Sequence, residues 1–215
     1  MWRKDQTAFH QQVVNPLLIR FWTCLELKKP SRIFVPLCGK SLDLIWLMQQ
    51  GNEVIGVELS PVAVKAFFNE NGLAPHKQKQ GKMTVWQDGR MKILCGDYFS
   101  LDRDDLGEID VVYDRAALTA LPEDSRKKYV AHLRAIVPLR CRIFLLTVED
   151  AVPEWHTSML QDSRYEVDKE VKSLYEPYFA IDIAHAESAW EADMSGTNES
   201  ASAVVHKVYR LVPRI

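Results

Sequence analysis

The chain has 215 residues, 47% of them apolar and 26% charged, with a formal net charge of −2. That length supports one domain with a substantial core, and the composition excludes a disordered chain. The near-neutral balance leaves no electrostatic footprint for nucleic acid or an anionic membrane surface, and no apolar run approaches the ~18 residues of a spanning helix.

In chain order, residues 11–27 carry Val13, Val14, Leu17, Leu18, Phe21, Trp22 and Leu25 at helical spacing, which predicts an N-terminal helix with Pro16 in its first turn. Residues 32–37 are a short apolar run ending in a turn at Cys38-Gly39. Leu42, Ile45, Trp46 and Leu47 then recur at helical steps until Gly51 stops them. A second strand is predicted over 53–58, and Ser60-Pro61 supplies the cap and first-turn proline of a helix over 62–71. Lys77, Lys79 and Lys82 fall in an expected loop as solvated charges. Further strands are predicted over 91–96, 109–114 and 142–148, with a helix from about residue 124 to 136 between the last two. Two closing strand-like runs, 179–184 and 203–211, read as an antiparallel edge hairpin. Short apolar strands alternating with helices predict a doubly wound, mostly parallel α/β sheet of seven strands.

In such a sheet, ligands bind beyond the carboxyl ends of the strands, where strand order reverses. Gly39-Lys40-Ser41 raises a phosphate-binding loop, but that motif needs a glycine where this chain has Phe34. The dinucleotide fingerprint fails too, because Gly39 stands alone in its turn. What remains at the strand tips is Glu58, Asp97-Tyr98 and Asp114-Arg115. Glu58 is placed to accept ribose hydroxyls, Asp97 to accept from an exocyclic amine, and Tyr98 to offer a ring face to adenine. A nucleoside without phosphates fits this set, and S-adenosyl-L-methionine has that shape.

Cys24, Cys38, Cys95 and Cys141 are far apart and read as reduced thiols; Cys38 and Cys95 read as small buried apolar residues near the site. The six histidines show no ligand spacing, so no metal is expected. On the residues alone, Arg115 pairs with Asp114, caps a helix, or places a positive charge in the site.

Val35-Pro36-Leu37-Cys38-Gly39-Lys40-Ser41 with Trp46-Leu47, Gly56-Val57-Glu58-Leu59-Ser60, Gly96-Asp97-Tyr98-Phe99, and Tyr113-Asp114-Arg115-Ala116-Ala117-Leu118 closely resemble the thiopurine S-methyltransferase family. Thr7-Ala8-Phe9-His10-Gln11 does so as well, and the likeness runs over about residues 2–148. The resemblance implies a monomeric cytoplasmic enzyme that moves a methyl group from S-adenosyl-L-methionine to an aromatic or heterocyclic thiol, leaving S-adenosyl-L-homocysteine. It implies that Trp2 packs on the cofactor, Leu37 contacts it from the turn, and Glu58 holds the ribose. Asp97 and Tyr98 match the adenine-edge pair, Arg115 lies beside the cofactor and the acceptor thiol as the catalytic residue, and Phe9 lines the acceptor pocket.

Asp150 and the Asp162–Tyr165 loop depart from the family pattern, so cofactor binding is expected to carry over better than acceptor choice. A selenium, tellurium or small thiol acceptor, or a non-catalytic binder of the same cofactor, are the alternatives. The domain is expected to divide into an N-terminal lid and helix (1–30), a cofactor-binding core (31–148) and a substrate-side loop with edge strands (149–215).

Overall fold

The computed structural model describes residues 11–28, 30–150, 166–192 and 201–214. Among these, the strands are β1 (Arg32–Val35), β2 (Glu53–Glu58), β3 (His76–Gln80), β4 (Met83–Asp88), β5 (Met91–Cys95), β6 (Val111–Arg115), β7 (Arg142–Asp150), β8 (Phe179–Ala192) and β9 (Ala201–Pro213). The helices are α1 (Pro16–Phe21), α2 (Asp43–Gln49), α3 (Pro61–Glu70), α4 (Arg103–Leu106), α5 (Ala117–Ala120), α6 (Glu123–Ile136) and α7 (Glu166–Tyr175). One sheet runs in the order β3-β4-β5-β2-β1-β6-β7-β9-β8. β5, β2, β1, β6 and β7 are parallel neighbours, and the strands on either side of them are antiparallel. The expected α/β architecture is therefore present.

The apolar strands read as continuous runs because both sheet faces are covered, and successive side chains point to opposite faces. Phe34, Val112, Ile143 and Leu145 pack with Leu106, Leu118, Tyr129, Leu133 and Tyr175 of the helices on one face. Their neighbours Ile33, Val35, Val111, Phe144 and Leu146 pack with Leu18, Leu44, Leu47, Phe67 and Phe68 on the other. Burying each such large side chain contributes about 1.5–3 kcal/mol before entropy is counted.

The sheet has two strands more than expected. Residues 76–88, including Lys77, Lys79 and Lys82, form and close a β3–β4 hairpin where a loop was expected. β3 is exposed along its whole length, so no apolar alternation marks it, and its lysines protect a free edge. Lys77 lies over the Trp86 ring, 3.7 Å from the centroid, which gives that cation a partner inside the hairpin.

The N-terminal helix is shorter than its apolar spacing suggests. Proline disfavours helical backbone in the residue before it, so the helix starts at Pro16, where the Asn15 side chain accepts the N–H groups of Leu17 and Leu18. It tightens into a 3₁₀ turn over Trp22–Leu25 that ends at Glu26 with φ +48°. Trp22 is wedged edge-on against Trp46, Tyr113 and Phe144. The turn is fastened from the sheet: Arg142 donates to the Leu25 carbonyl, and Arg210 of β9 donates to the Cys24 carbonyl at 3.0 Å.

Candidate active site

Strand order reverses at β1, whose chain continues towards β2 on one side while β6 lies on the other. The turn after β1 carries two residues of left-handed backbone, Leu37 (φ +47°) and Gly39 (φ +56°). This geometry aims main-chain amides across the strand tips. Cys38 N–H donates to the Val57 carbonyl, and Gly39 N–H to Glu58 Oε2 at 3.0 Å. Glu58 Oε1 accepts the Ser60 N–H at 2.7 Å, so one carboxylate ties the turn after β1 to the start of α3. Glu58 is buried, and burial raises its pKa against the opposing pull of the Ser60 and Gly39 amides. Leu37 is half-buried and packs against the core.

A small residue lets this turn sit so close. A Cβ on Gly56 would stand 2.6 Å from Cys38 Sγ and 3.2 Å from Leu44 Cδ2. Lys40, the basic residue of the Gly-Lys-Ser triplet, pairs with Glu70 of α3 at 2.9 Å, in keeping with the absence of a phosphate loop. Burial and then the Glu58 charge push the Cys38 and Cys95 thiols up, so neither is a thiolate at neutral pH.

Asp97, after β5, is exposed, and its Oδ1 accepts the Phe99 N–H at 3.1 Å, which leaves lone pairs for an incoming donor. The expected role of the Tyr98 ring needs correction. Tyr98 is 3% exposed, packs at 4.9 Å and a 31° tilt against the Tyr129 ring, and donates its hydroxyl to the Tyr129 carbonyl. Its ring belongs to the core, and the exposed aromatic beside Asp97 is Phe99.

At the end of β6 the two charged residues part. Asp114 turns inward, fully buried, accepting the Ala117 and Leu118 amides and the Tyr129 hydroxyl at 3.1, 3.3 and 2.7 Å. It caps α5 and does not reach the crevice; burial pushes its pKa up to about 6. Arg115 pairs not with Asp114 but with Asp43 of α2, Nε to Oδ2 at 2.8 Å, and its Nη2 donates to Ser41 Oγ at 3.0 Å. Asp43 was absent from the residues singled out by sequence. Its signal is a lone carboxylate in the apolar stretch Leu42–Leu47.

The structure thus brings Leu37, Glu58, Asp97 and Arg115 to the tips of β1, β2, β5 and β6. Trp2, Phe9 and the Asp162–Tyr165 loop lie outside the described residues. No His, Cys, Asp or Glu cluster among the described residues has a metal-binding arrangement, and no described helix is long and apolar enough to cross a membrane.

The turn and its carboxylate fit a nucleoside better than a nucleotide. Glu58 Oε2 accepts the Gly39 N–H and Oε1 the Ser60 N–H, which leaves acceptor capacity for a hydroxyl, and Lys40 is drawn away to Glu70. Solved structures share this arrangement of the chain. A methyltransferase dependent on S-adenosylmethionine from Anabaena variabilis superposes with a TM-score of 0.59 at 13% identity, covering 98% of this chain and 91% of its own. The 1,6-didemethyltoxoflavin-N1-methyltransferase of Burkholderia thailandensis, solved with 1,6-didemethyltoxoflavin and S-adenosylhomocysteine, gives 0.59 at 14% identity over 98% and 83% of the two chains. The fold is that of the class I S-adenosylmethionine-dependent methyltransferases.

Sequence comparison narrows the class. The thiopurine S-methyltransferase (TPMT) family profile matches residues 1–214, and the chain belongs to that family. The likeness extends well past residue 148, where the motif resemblance alone weakens. A thiopurine S-methyltransferase of Stutzerimonas stutzeri is 54% identical over 98% of this chain and 87% of its own. One of Pseudomonas putida (strain F1) is 38% identical over 98% and 95%.

Proposed function

We propose that this chain transfers the methyl group of S-adenosyl-L-methionine to the sulfur of an aromatic or heterocyclic thiol, the activity for which its relatives are named. The observation that carries the reading is the buried Glu58 carboxylate, clamped by the Gly39 and Ser60 amides beside a turn with no phosphate cradle. The cofactor supplies an already activated methyl group on a sulfonium.

The residues of the chain bind and align. Glu58 accepts the ribose hydroxyls, Asp97 the adenine amine, and the turn at Leu37 lies against the nucleoside. Leu59 and Phe99, exposed beside the two carboxylates, offer apolar surface to the base. Arg115 stands at the acceptor side, where its guanidinium favours the thiolate over the thiol. A thiolate is a strong, soft nucleophile that needs no base beside it, so alignment of sulfur, carbon and sulfur is the main task. Such alignment supplies on the order of 7–11 kcal/mol of barrier lowering. On the family resemblance, Trp2 packs on the cofactor and Phe9 lines the acceptor pocket. We read 1–30 as lid and helix, 31–148 as the cofactor-binding core and 149–215 as the acceptor side of one domain.

Family membership does not favour a non-catalytic binder or a selenium or tellurium acceptor. The four cysteines are free, in keeping with a reducing, cytoplasmic setting. We read the chain as a monomer, as the family resemblance implies. Calorimetric titration with S-adenosyl-L-homocysteine, NAD and ATP, followed by methyl-transfer assays on a panel of aromatic thiols, tests the reading. Binding of the first ligand alone and turnover of at least one thiol are expected. Failure of S-adenosyl-L-homocysteine to bind, or absence of transfer to every thiol, rejects it.

A further inference from the structure

We propose that Asp43 is a positioning residue for methyl transfer, setting the Arg115 guanidinium from the first turn of α2; this rests on the reading that Arg115 faces the acceptor thiol. Asp43 is 1% exposed, yet it carries a carboxylate, and a carboxylate this deep is tolerated only where its lone pairs are met. Three donors meet them. Oδ1 accepts the Asn15 N–H at 2.8 Å, from the residue that caps α1. Oδ2 accepts the Tyr113 hydroxyl of β6 at 2.8 Å and Arg115 Nε at 2.8 Å. Ser41 Oγ completes the frame, accepting Arg115 Nη2 at 3.0 Å and the Asp43 N–H at 3.2 Å.

An arginine has many rotamers, and holding it in one costs entropy that its partners must offset. Here Nε and Nη2 are held along one edge of the planar guanidinium, and Nη1 is the end that this network does not use. Packing alone does not call for such an arrangement, since an apolar side chain fills a buried seat at least as well as an ion pair. The Asp43 charge also offsets much of the Arg115 charge. Arg115 then acts by where its N–H groups point more than by its net field.

That difference gives opposite expectations for Asp43→Asn. If the field of Arg115 alone mattered, removing the neighbouring negative charge would raise thiolate formation and kcat/KM. If Asp43 sets the geometry, the amide leaves three donors facing one oxygen, and the guanidinium swings. We expect kcat/KM for an aromatic thiol to fall on the order of 10- to 100-fold, with the Kd for S-adenosyl-L-homocysteine changed by less than about threefold.

A second readout needs no turnover. The Arg115 Nε–H resonance, assigned by its disappearance in Arg115→Ala, is expected to be slow-exchanging in the parent protein and lost or fast-exchanging in Asp43→Asn. In the Arg115→Ala background, Asp43→Asn is expected to change kcat/KM by less than about twofold. An unchanged or raised kcat/KM in Asp43→Asn overturns the proposal, as does an equal loss with and without Arg115, which is what a merely structural role produces. If Arg115→Ala leaves kcat/KM untouched, the acceptor-side reading of Arg115 falls, and the Nε–H signal still shows whether Asp43 fixes the guanidinium. Should Asp43→Asn not fold, Ser41→Ala removes the second anchor and is held to the same criteria, with a smaller expected loss.

Discussion

The Glu58 carboxylate at the tip of β2 accepts the backbone N–H of Gly39 from the turn after β1, at 3.0 Å. On the proposed reading, the ribose acceptor is thus also the brace of the loop beside it. Binding and loop geometry share one side chain.

On that reading the charge on Glu58 governs cofactor affinity. Burial raises its pKa and the backbone amides donate to the ionised form, as ribose hydroxyls would on the proposed reading. Affinity for S-adenosyl-L-homocysteine is expected to be full at neutral pH and to fall as the pH drops through a value above the ordinary glutamate range. Glu58→Gln leaves one of the two amides facing an NH2 group and should weaken binding by about 2–3 kcal/mol, as for lost hydrogen bonds to a charged partner. Calorimetry across pH checks both; in Glu58→Gln the pH dependence should vanish with the affinity.

Gly56 sets how closely the turn approaches β2. Gly56→Ala places a methyl group 2.6 Å from Cys38 Sγ, and should destabilise the fold by about 1–3 kcal/mol. Removing the sulfur relieves the clash, so Gly56→Ala in a Cys38→Ala background should cost less than in the parent. A double-mutant cycle on denaturant midpoints reads the coupling.

Asp114 makes stability pH-dependent. Its pKa is about 6 in the folded chain against 3.8 for an unperturbed group, so the folded state holds the proton more tightly. The resulting stabilisation is complete below the unfolded value and is lost as pH rises through about 6, a change of about 3 kcal/mol. Asp114→Asn cannot titrate. The stability difference between parent and variant should shift in the variant's favour between pH 4 and pH 6.5, as urea denaturation at each pH measures.

Tyr98 and Phe99 should separate stability from binding. Tyr98→Phe removes the hydroxyl bond to the Tyr129 carbonyl and should cost about 1 kcal/mol of stability with little change in cofactor affinity. Phe99→Ala, at an exposed position, should do the reverse. Melting curves with and without S-adenosyl-L-homocysteine distinguish the two.

The parallel strands were legible because burial on both faces leaves unbroken apolar runs such as 33–35 and 143–146, and α3 because Ser60-Pro61 marks its start. The hairpin edge His76–Gln80 was not, since a solvated edge strand needs no apolar side chain. Glu58 and Asp97 could be placed from strand ends alone. Which way neighbouring side chains turn could not: Tyr98 and Phe99 are adjacent, and only packing against Tyr129 decides which is spent inside. Likewise Arg115 has Asp114 beside it in sequence, but partners Asp43 from 72 positions earlier because Asp114 is already taken by the α5 amides.

The fastening of the Cys24 carbonyl by Arg210, and the place of β9 between β7 and β8, bear on how the chain is made. A ribosome releases β7 long before residues 201–213, so β7 waits with a bare edge, a ready template for pairing with another nascent chain. The hook that holds the Trp22–Leu25 turn, Arg210, is made well after the turn itself. Completing the sheet therefore calls for an intercalation, in which β9 enters between β7 and β8 and its Arg210 takes hold of a turn far earlier in the chain.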